Sequence, residues 1–200
     1  MSKKLPEIYY IEHFTKIPKV FHSAVNDELF ANCTMCGKEL LESNESYIIE
    51  KAVKNYQENK VKDIIFEYAM CFSCLEKMRE GFSEESLERI NNYILKKTDL
   101  PLRRNELIEK GTLDVNDWIS KCIVKDINQD QLPEYQIMCQ CQGEHMLYTY
   151  MPYMLSCNAA EEMQELLSKK TKDELDRFYK DNLGLPPDLE ELFRTRMPVI

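Results

Sequence analysis

The sequence lacks the local motifs that usually mark a catalytic centre. It contains no glycine-rich phosphate-binding loop, no Gly-x-Ser-x-Gly elbow and no His-Glu-x-x-His helix. Its three histidines are His13, His22 and His145. A nucleophilic cysteine paired with His13 or His22 stays open as an alternative, because such partners meet in space and not in sequence. We therefore expect a protein without catalytic activity and keep a cysteine- or metal-dependent enzyme among the alternatives.

The sequence also lacks long apolar runs and an excess of positive charge. Charges interrupt every hydrophobic segment, so no segment reaches the roughly 20 apolar residues that span a bilayer. The first residues do not form a signal-peptide pattern. The chain has 26 Lys and Arg against 35 Asp and Glu, which gives a formal charge of −9 and disfavours non-specific binding to nucleic-acid phosphates. We expect a cytoplasmic protein that does not bind membranes and whose thiols stay reduced.

What the sequence does contain is two Cys-x-x-Cys pairs, Cys33 with Cys36 and Cys71 with Cys74. Zinc takes four tetrahedral ligands, and a two-residue spacer lets both sulfurs of a pair turn toward one point. Gly37 follows the first pair, where a tight knuckle needs a residue free of Cβ strain. The pattern predicts a structural Zn²⁺ site, which has no open position for a catalytic water.

Other interpretations of the four cysteines stay open. They would be buried thiols, a reversible redox pair, or the ligands of a rubredoxin-like iron centre. The iron centre is disfavoured because its second knuckle normally carries glycine after the last cysteine, where this chain has Leu75. Zinc is favoured because both pairs have the ligand spacing and lie beside suitable secondary structure.

Hydrophobic periodicity predicts a hairpin and a helix around the second pair. Residues 46–53 and 63–70 are apolar-rich strands separated by a polar turn over residues 57–60. Cys74 opens a helical segment, and Ser83 is a good N-cap for a further helical stretch. The order is therefore knuckle, hairpin and then helix.

These residues carry a resemblance. The segment Cys33-Thr34-Met35-Cys36-Gly37-Lys38, the hairpin, and the segment from Cys71 to Met78 entering a helix look like a treble-clef or zinc-ribbon-type zinc-binding domain over about residues 31–97. The resemblance implies metal ligands at Cys33, Cys36, Cys71 and Cys74. Many unrelated proteins use this scaffold, so it implies no particular function.

The C-terminal half repeats the plan of strands followed by a helix. Pro101 and the run 103–106 suggest a connection, and a helix that includes Trp118 and Ile119 is predicted after it. Residues 135–141 and 146–155 are predicted strands, and Asn158 is predicted to cap a long helix that stops at Gly184. We predict an α+β fold with a treble-clef-like region over residues 1–100 and a second hairpin-plus-helix region over 101–200 that ends in a short tail. A degenerate duplication is one explanation, and common topology without duplication is the other.

A second cysteine constellation lies in this half, formed by Cys139, Cys141, His145 and Cys157. Cys139 and Cys141 would share one face of a strand, with His145 across a turn and Cys157 at the helix entrance. This set is a candidate for a second, weaker metal site. The alternative is that the cysteines are small core residues and His145 is a turn residue. Cys122 is assigned to neither.

The sequence predicts a cytoplasmic, zinc-stabilised module that binds another protein or regulates it, without turnover. The main alternative is a nucleic-acid-associated zinc factor, because basic side chains flank the predicted hairpin turn. These are Lys51, Lys54, Lys60 and Lys62. The partner and the oligomeric state do not follow from the sequence.

Overall fold

A computed structural model describes residues 13–56, 58 and 61–183 of the 200-residue chain. Within these residues the fold is α+β, as predicted, with six α-helices and an open six-stranded antiparallel sheet. The strands are β1 (Phe14–Lys16), β2 (Ser46–Tyr56), β3 (Val61–Cys71), β4 (Glu134–Gln142), β5 (His145–Leu147) and β6 (Tyr153–Ser156). The helices are α1 (Phe72–Gly81), α2 (Glu84–Lys97), α3 (Leu100–Glu109), α4 (Val115–Ile119), α5 (Cys157–Glu165) and α6 (Lys169–Leu183).

The sheet joins strands from both halves of the chain. Its order is β1-β5-β4-β2-β3, and β6 pairs with β4. Strand β4 therefore pairs with β2 along one edge and with both β5 and β6 along the other. The two regions predicted to meet near residue 100 both contribute strands to this one sheet. The division of the chain into two regions stays a prediction.

The β2–β3 hairpin is confirmed and forms the larger part of the sheet. Its register runs from Tyr47 opposite Cys71 to Tyr56 opposite Val61. Every residue from 47 to 53 is buried, so both faces of this central part of β2 are covered. The stretch is apolar except for Glu50 and Lys51, which are buried with polar partners: Glu50 accepts hydrogen bonds from Tyr68 and Gln136, and Lys51 pairs with Glu67.

Of the two helices after the hairpin, α2 begins where the sequence predicts, and α1 begins two residues before the predicted start at Cys74. Cys71 ends β3 and is also the N-cap of α1, so Cys74 lies in the first turn of that helix. The Ser83 side chain caps α2 by accepting a hydrogen bond from the backbone N–H of Ser86 at 3.2 Å. The metal-binding candidates are therefore placed by a strand end and a helix start.

Three local predictions in the C-terminal half were wrong. Residues 100–109 form helix α3 and not an open connection, because Asp99 caps the helix and Pro101 lies in the first turn, where no N–H is needed. The predicted strand over 146–155 divides into β5 and β6 around residues 148–152, where Pro152 cannot donate to a ladder.

The predicted long helix divides as well. Ser156, and not Asn158, is the N-cap of α5, since its hydroxyl accepts the N–H of Ala159 at 3.3 Å. A second helix, α6, begins after Ser168, whose hydroxyl accepts the N–H of Thr171 at 3.3 Å. The predicted tail lies outside the described residues. None of the described helices has the length and apolar character that crossing a bilayer requires.

Candidate metal centre

The first cysteine pair lies on a tight turn over residues 33–38, which we call the knuckle. The N–H of Cys33 donates to the carbonyl of Lys38 at 2.8 Å, and the carbonyl of Cys33 accepts the N–H of Gly37 at 2.8 Å. Gly37 has a φ of 72°, a left-handed conformation that glycine adopts without Cβ strain. Glycine therefore suits this position of the turn, as the sequence predicts.

Hydrogen bonds attach the knuckle to the end of β3. The Thr34 N–H donates to the Ala69 carbonyl at 2.8 Å, and the Ala69 N–H donates to the Thr34 hydroxyl at 3.3 Å. The Cys71 N–H lies 3.5 Å from the Cys33 sulfur, to which it donates. A knuckle held in this position brings its two sulfurs to the start of α1.

The four predicted ligands come together. The sulfurs of Cys33, Cys36, Cys71 and Cys74 all lie within 4.8 Å of one another. The Cys36 and Cys71 sulfurs are 3.8 Å apart. A tetrahedron with metal–sulfur bonds of about 2.3 Å has sulfur–sulfur edges of about 3.8 Å, so the cluster has the dimensions of a four-thiolate site. Three of these cysteines are buried, and Cys36 is exposed.

The thiols differ in acidity because their surroundings differ. Burial raises the pKa of Cys71 and of Cys74. A hydrogen bond from the backbone of Lys38 lowers the pKa of Cys36 to about 7. A metal ion binds thiolates, so it must displace the protons from Cys71 and Cys74 when it binds at neutral pH.

A carboxylate next to the cluster joins the knuckle to the helix, and the sequence did not reveal it. Glu45 accepts hydrogen bonds from the N–H of Ser73 at 2.7 Å and from its hydroxyl, and it pairs with Lys38 of the knuckle. The bond from Lys38, followed by those from Ser73, lowers the pKa of Glu45 to about 2. Glu45 lies just before β2, far in sequence from Ser73, and this separation hides the contact.

The second constellation is only partly assembled. The Cys139 and Cys141 sulfurs are 3.5 Å apart on one face of β4, as expected from their spacing. The Cys157 thiol instead donates to Glu161 at 3.3 Å, and the His145 ring packs edge-on against Phe14. In the described part of the chain, the four-cysteine cluster is the one group of three or more Cys, His, Asp or Glu residues whose ligand atoms approach within 4.8 Å. The structure thus pairs two of these four residues without forming a second metal cluster.

The four lysines that support the nucleic-acid alternative are not all available to contact phosphates. Lys51 is buried, and its ammonium pairs with Glu67 at 2.9 Å. Lys62 donates to the Gln129 side chain at 2.8 Å, and Lys54 lies over the Tyr56 ring at 5.4 Å. Lys60 lies outside the described residues. The buried ion pair removes Lys51 from any surface that would contact nucleic acid.

His22 is likewise engaged by its own loop. Its Nδ1 lies 3.0 Å from the Asp27 carbonyl, and its Nε2 lies 3.1 Å from the Ile17 carbonyl. Both ring nitrogens therefore face backbone oxygens, and the ring stabilises the loop before the knuckle. This geometry does not favour His22 as the base for a nucleophilic cysteine.

Comparisons of the chain with protein-family models, with curated proteins and with solved structures find no match.

Proposed function

We propose that the four-cysteine cluster is a structural zinc site in a treble-clef-like unit. The observation that carries the proposal is the convergence of four sulfurs within 4.8 Å at the junction of knuckle, strand and helix. Four thiolates complete a tetrahedral zinc shell and leave no position for water, so the site would hold structure and not hydrolyse a substrate. Cys33, Cys36, Cys71 and Cys74 would be the ligands.

The metal would fasten two segments that otherwise rely on few bonds. Hydrogen bonds from Thr34 and Cys71 connect the knuckle to β3. Zinc would add bonds from both ends of the knuckle to β3 and α1. Metal affinity would then be coupled to the local folding of the unit.

Metal analysis of the purified chain tests this proposal. We expect one zinc ion per chain, and loss of that ion in the Cys36→Ser/Cys74→Ser variant. The Cys139→Ser/Cys157→Ser variant is the matched control, because it also removes two thiols and should retain zinc. Zinc in the first variant, or its loss in the control alone, would contradict the ligand set.

We further propose that the zinc-stabilised unit binds another protein in the reducing cytoplasm, without turnover. None of the eight cysteines, all of which lie in the described part of the chain, forms a disulfide bond, which suits a reducing compartment. Two apolar side chains project from neighbouring turns: Val25 is 91% exposed and Met35, at the tip of the knuckle, is 38% exposed. Exposed apolar side chains on positioned turns are suited to protein contact.

The two turns are held beside one another. The Ala24 N–H donates to the Glu67 carboxylate at 2.8 Å, and the Thr34 N–H donates to the Ala69 carbonyl at 2.8 Å. Glu67 and Ala69 are two positions apart on β3. The turns that carry Val25 and Met35 are therefore both attached to residues 67–69 of β3, and the metal would help to position the second of them.

Quantitative pull-down with the full chain tests the binding proposal. We expect Val25→Asp/Met35→Asp to abolish retention of the specific partner while zinc content and thermal stability stay unchanged. Leu95→Asp is the control, because Leu95 is 62% exposed and lies on α2, outside the two turns. Equal retention by the wild type and the double variant would contradict this surface.

A further inference from the structure

A turn in the C-terminal half has the same backbone hydrogen bonds as the knuckle. In the knuckle, the N–H of the first residue donates to the carbonyl of the sixth, and the carbonyl of the first residue accepts the N–H of the fifth. Cys122 likewise donates to the Ile127 carbonyl at 2.9 Å and accepts the Asp126 N–H at 2.9 Å. Asp126 has a φ of 53°, in the left-handed region occupied by Gly37. A cysteine begins both turns, and a left-handed residue stands at the fifth position of both.

The second turn also meets a strand end in the same way as the first. The Ser156 N–H donates to the Cys122 sulfur at 3.2 Å, as the Cys71 N–H donates to the Cys33 sulfur at 3.5 Å. Ser156 ends β6 and caps α5, as Cys71 ends β3 and caps α1. The φ and ψ angles are −71° and 155° at Ser156 and −67° and 152° at Cys71. Both sulfurs therefore occupy the same place relative to a helix start.

A further backbone bond repeats this correspondence. The residue after each leading cysteine donates to the carbonyl two residues before the cap. These bonds join Ile123 to Met154 at 3.0 Å and Thr34 to Ala69 at 2.8 Å. The second turn is thus attached to β6 as the knuckle is attached to β3.

The turn geometry alone would not support this comparison. Ser23, Asp27 and Glu28 form the same two hydrogen bonds, with a φ of 59° at Asp27. That turn, however, lies against the Glu67 side chain within β3 and not at a strand end. The contact with a helix start is what distinguishes the Cys33 and Cys122 turns.

The strands and helices of the two units are related in the same way. Tyr47 pairs with Cys71 in the first hairpin, and Tyr135 pairs with Ser156 in the second. Strands β2 and β4, which carry these tyrosines, pair antiparallel to each other. Two copies related by a two-fold axis through the sheet would show this arrangement.

The helix caps show the reciprocal contacts that two-fold symmetry requires. Ser83 caps α2 and Ser168 stands before α6, with their hydroxyl oxygens 2.8 Å apart. The Ser83 N–H donates to the Thr171 hydroxyl at 3.0 Å, and the Ser168 N–H donates to the Ser86 hydroxyl at 2.8 Å. Each cap therefore donates to the hydroxyl three residues after the other cap.

We propose that the C-terminal half is a second copy of the metal-binding unit in which three of the four ligands have been replaced. The positions equivalent to the four cysteines are Cys122, Lys125, Ser156 and Ala159. Their exposure follows that of the first set: Cys122, Ser156 and Ala159 are buried, and Lys125 is the most exposed. This position differs from the Cys139 constellation, and it gives Cys122 a structural role.

The replacements give this position contacts of its own. Lys125 reaches out to pair with Glu162 of α5, and the Ser156 hydroxyl caps that helix. One thiol, one hydroxyl, one ammonium and one methyl group do not form a zinc shell. The wild-type chain would therefore bind one metal ion through the first unit, while the second unit folds without one.

Restoring the ligands tests this inference. We expect the full-length variant Lys125→Cys/Ser156→Cys/Ala159→Cys to bind one zinc ion more than the wild type and to give a second tetrahedral four-thiolate cobalt spectrum. The control adds Cys122→Ser to these three substitutions and should lose the gain. A folded triple variant with unchanged metal content, or a gain that survives in the control, would overturn the proposal.

The test also separates this inference from the proposed zinc site of the first unit. If the first unit binds no metal, the wild type will contain none, yet the triple variant will still gain one ion. If the triple variant does not fold, Lys125→Cys/Ser156→Cys gives a second measurement. The equivalent sulfurs of Cys36 and Cys71 are 3.8 Å apart, so mild oxidation should link positions 125 and 156. Absence of that disulfide from the peptide map of the oxidised double variant would overturn the proposal.

Discussion

Replacing Cys74 by serine tests the coupling between metal and local folding most directly. Cys74 is buried in the first turn of α1, where its sulfur faces the other three. Removing a group that only orients a metal ligand lowers metal affinity about 10- to 100-fold. Removing the ligand itself should therefore lower zinc affinity more than about 100-fold. That change corresponds to at least about 3 kcal/mol of stabilisation lost from this unit.

Hydrogen exchange would show where the loss falls. The amides of Thr34 and Cys71 form hydrogen bonds between the knuckle and β3, and we expect both amides to exchange about 100-fold faster in Cys74→Ser. Amides that join β2 to β4 should keep their protection, because that pairing lies in the buried centre of the sheet. Cys157→Ser is the control and should resemble the wild type in both regions. Uniform acceleration over the sheet, or unchanged zinc content in Cys74→Ser, would refute the reasoning.

Three further predictions concern the same site. Gly37→Ala should weaken zinc binding about fivefold in a metal titration, because a left-handed alanine costs about 1 kcal/mol. Gly111→Ala is the control, since Gly111 has a similar φ of 69° and equally open space, and it should leave zinc affinity unchanged. Zinc affinity should rise at least about 100-fold per pH unit near neutrality, because burial raises the pKa of Cys71 and Cys74 and zinc must displace both protons. A competition assay that shows no rise in zinc affinity with pH would contradict this expectation. Glu45→Gln should lower the unfolding free energy by about 1 kcal/mol at pH 7, because solvent screens the interactions of this partly exposed carboxylate. The pKa of Glu45 is lowered to about 2 from 4.5, so the difference in unfolding free energy should vanish as the pH falls through that interval, and a pH-independent difference would refute it.

The sequence predicted those features whose signals are local. The cysteine spacing, the Ser83 cap and the two apolar runs each lie within a few residues, and the structure forms the corresponding turn, helix and hairpin. Ligand assembly followed because the hairpin returns the end of β3 to the point where the knuckle begins. The prediction of a single long C-terminal helix was wrong for a similarly local reason, because Ser168 caps a second helix within that segment.

Non-local contacts could not be predicted in this way. The pairing of β2 with β4 joins residues that are far apart in the chain, and nothing in either segment specifies the other. Glu45 has no motif that links it to Ser73. The correspondence between the Cys33 and Cys122 turns lies in backbone hydrogen bonds, while the side chains at the other ligand positions differ, so matching of residue types does not detect it.

The proposed loss of a metal from the second unit requires another source of stability. The Lys125–Glu162 ion pair is partly exposed and would contribute at most about 1 kcal/mol, which is less than a bound metal supplies. Packing offers more: α4 contacts β6, and Arg103 from α3 donates to the Pro152 carbonyl at 3.3 Å, just before that strand. Helices α3 and α4 lie in the segment between the two units. This segment would therefore hold the second unit in place, which explains how three ligands could be lost there while the first unit kept all four.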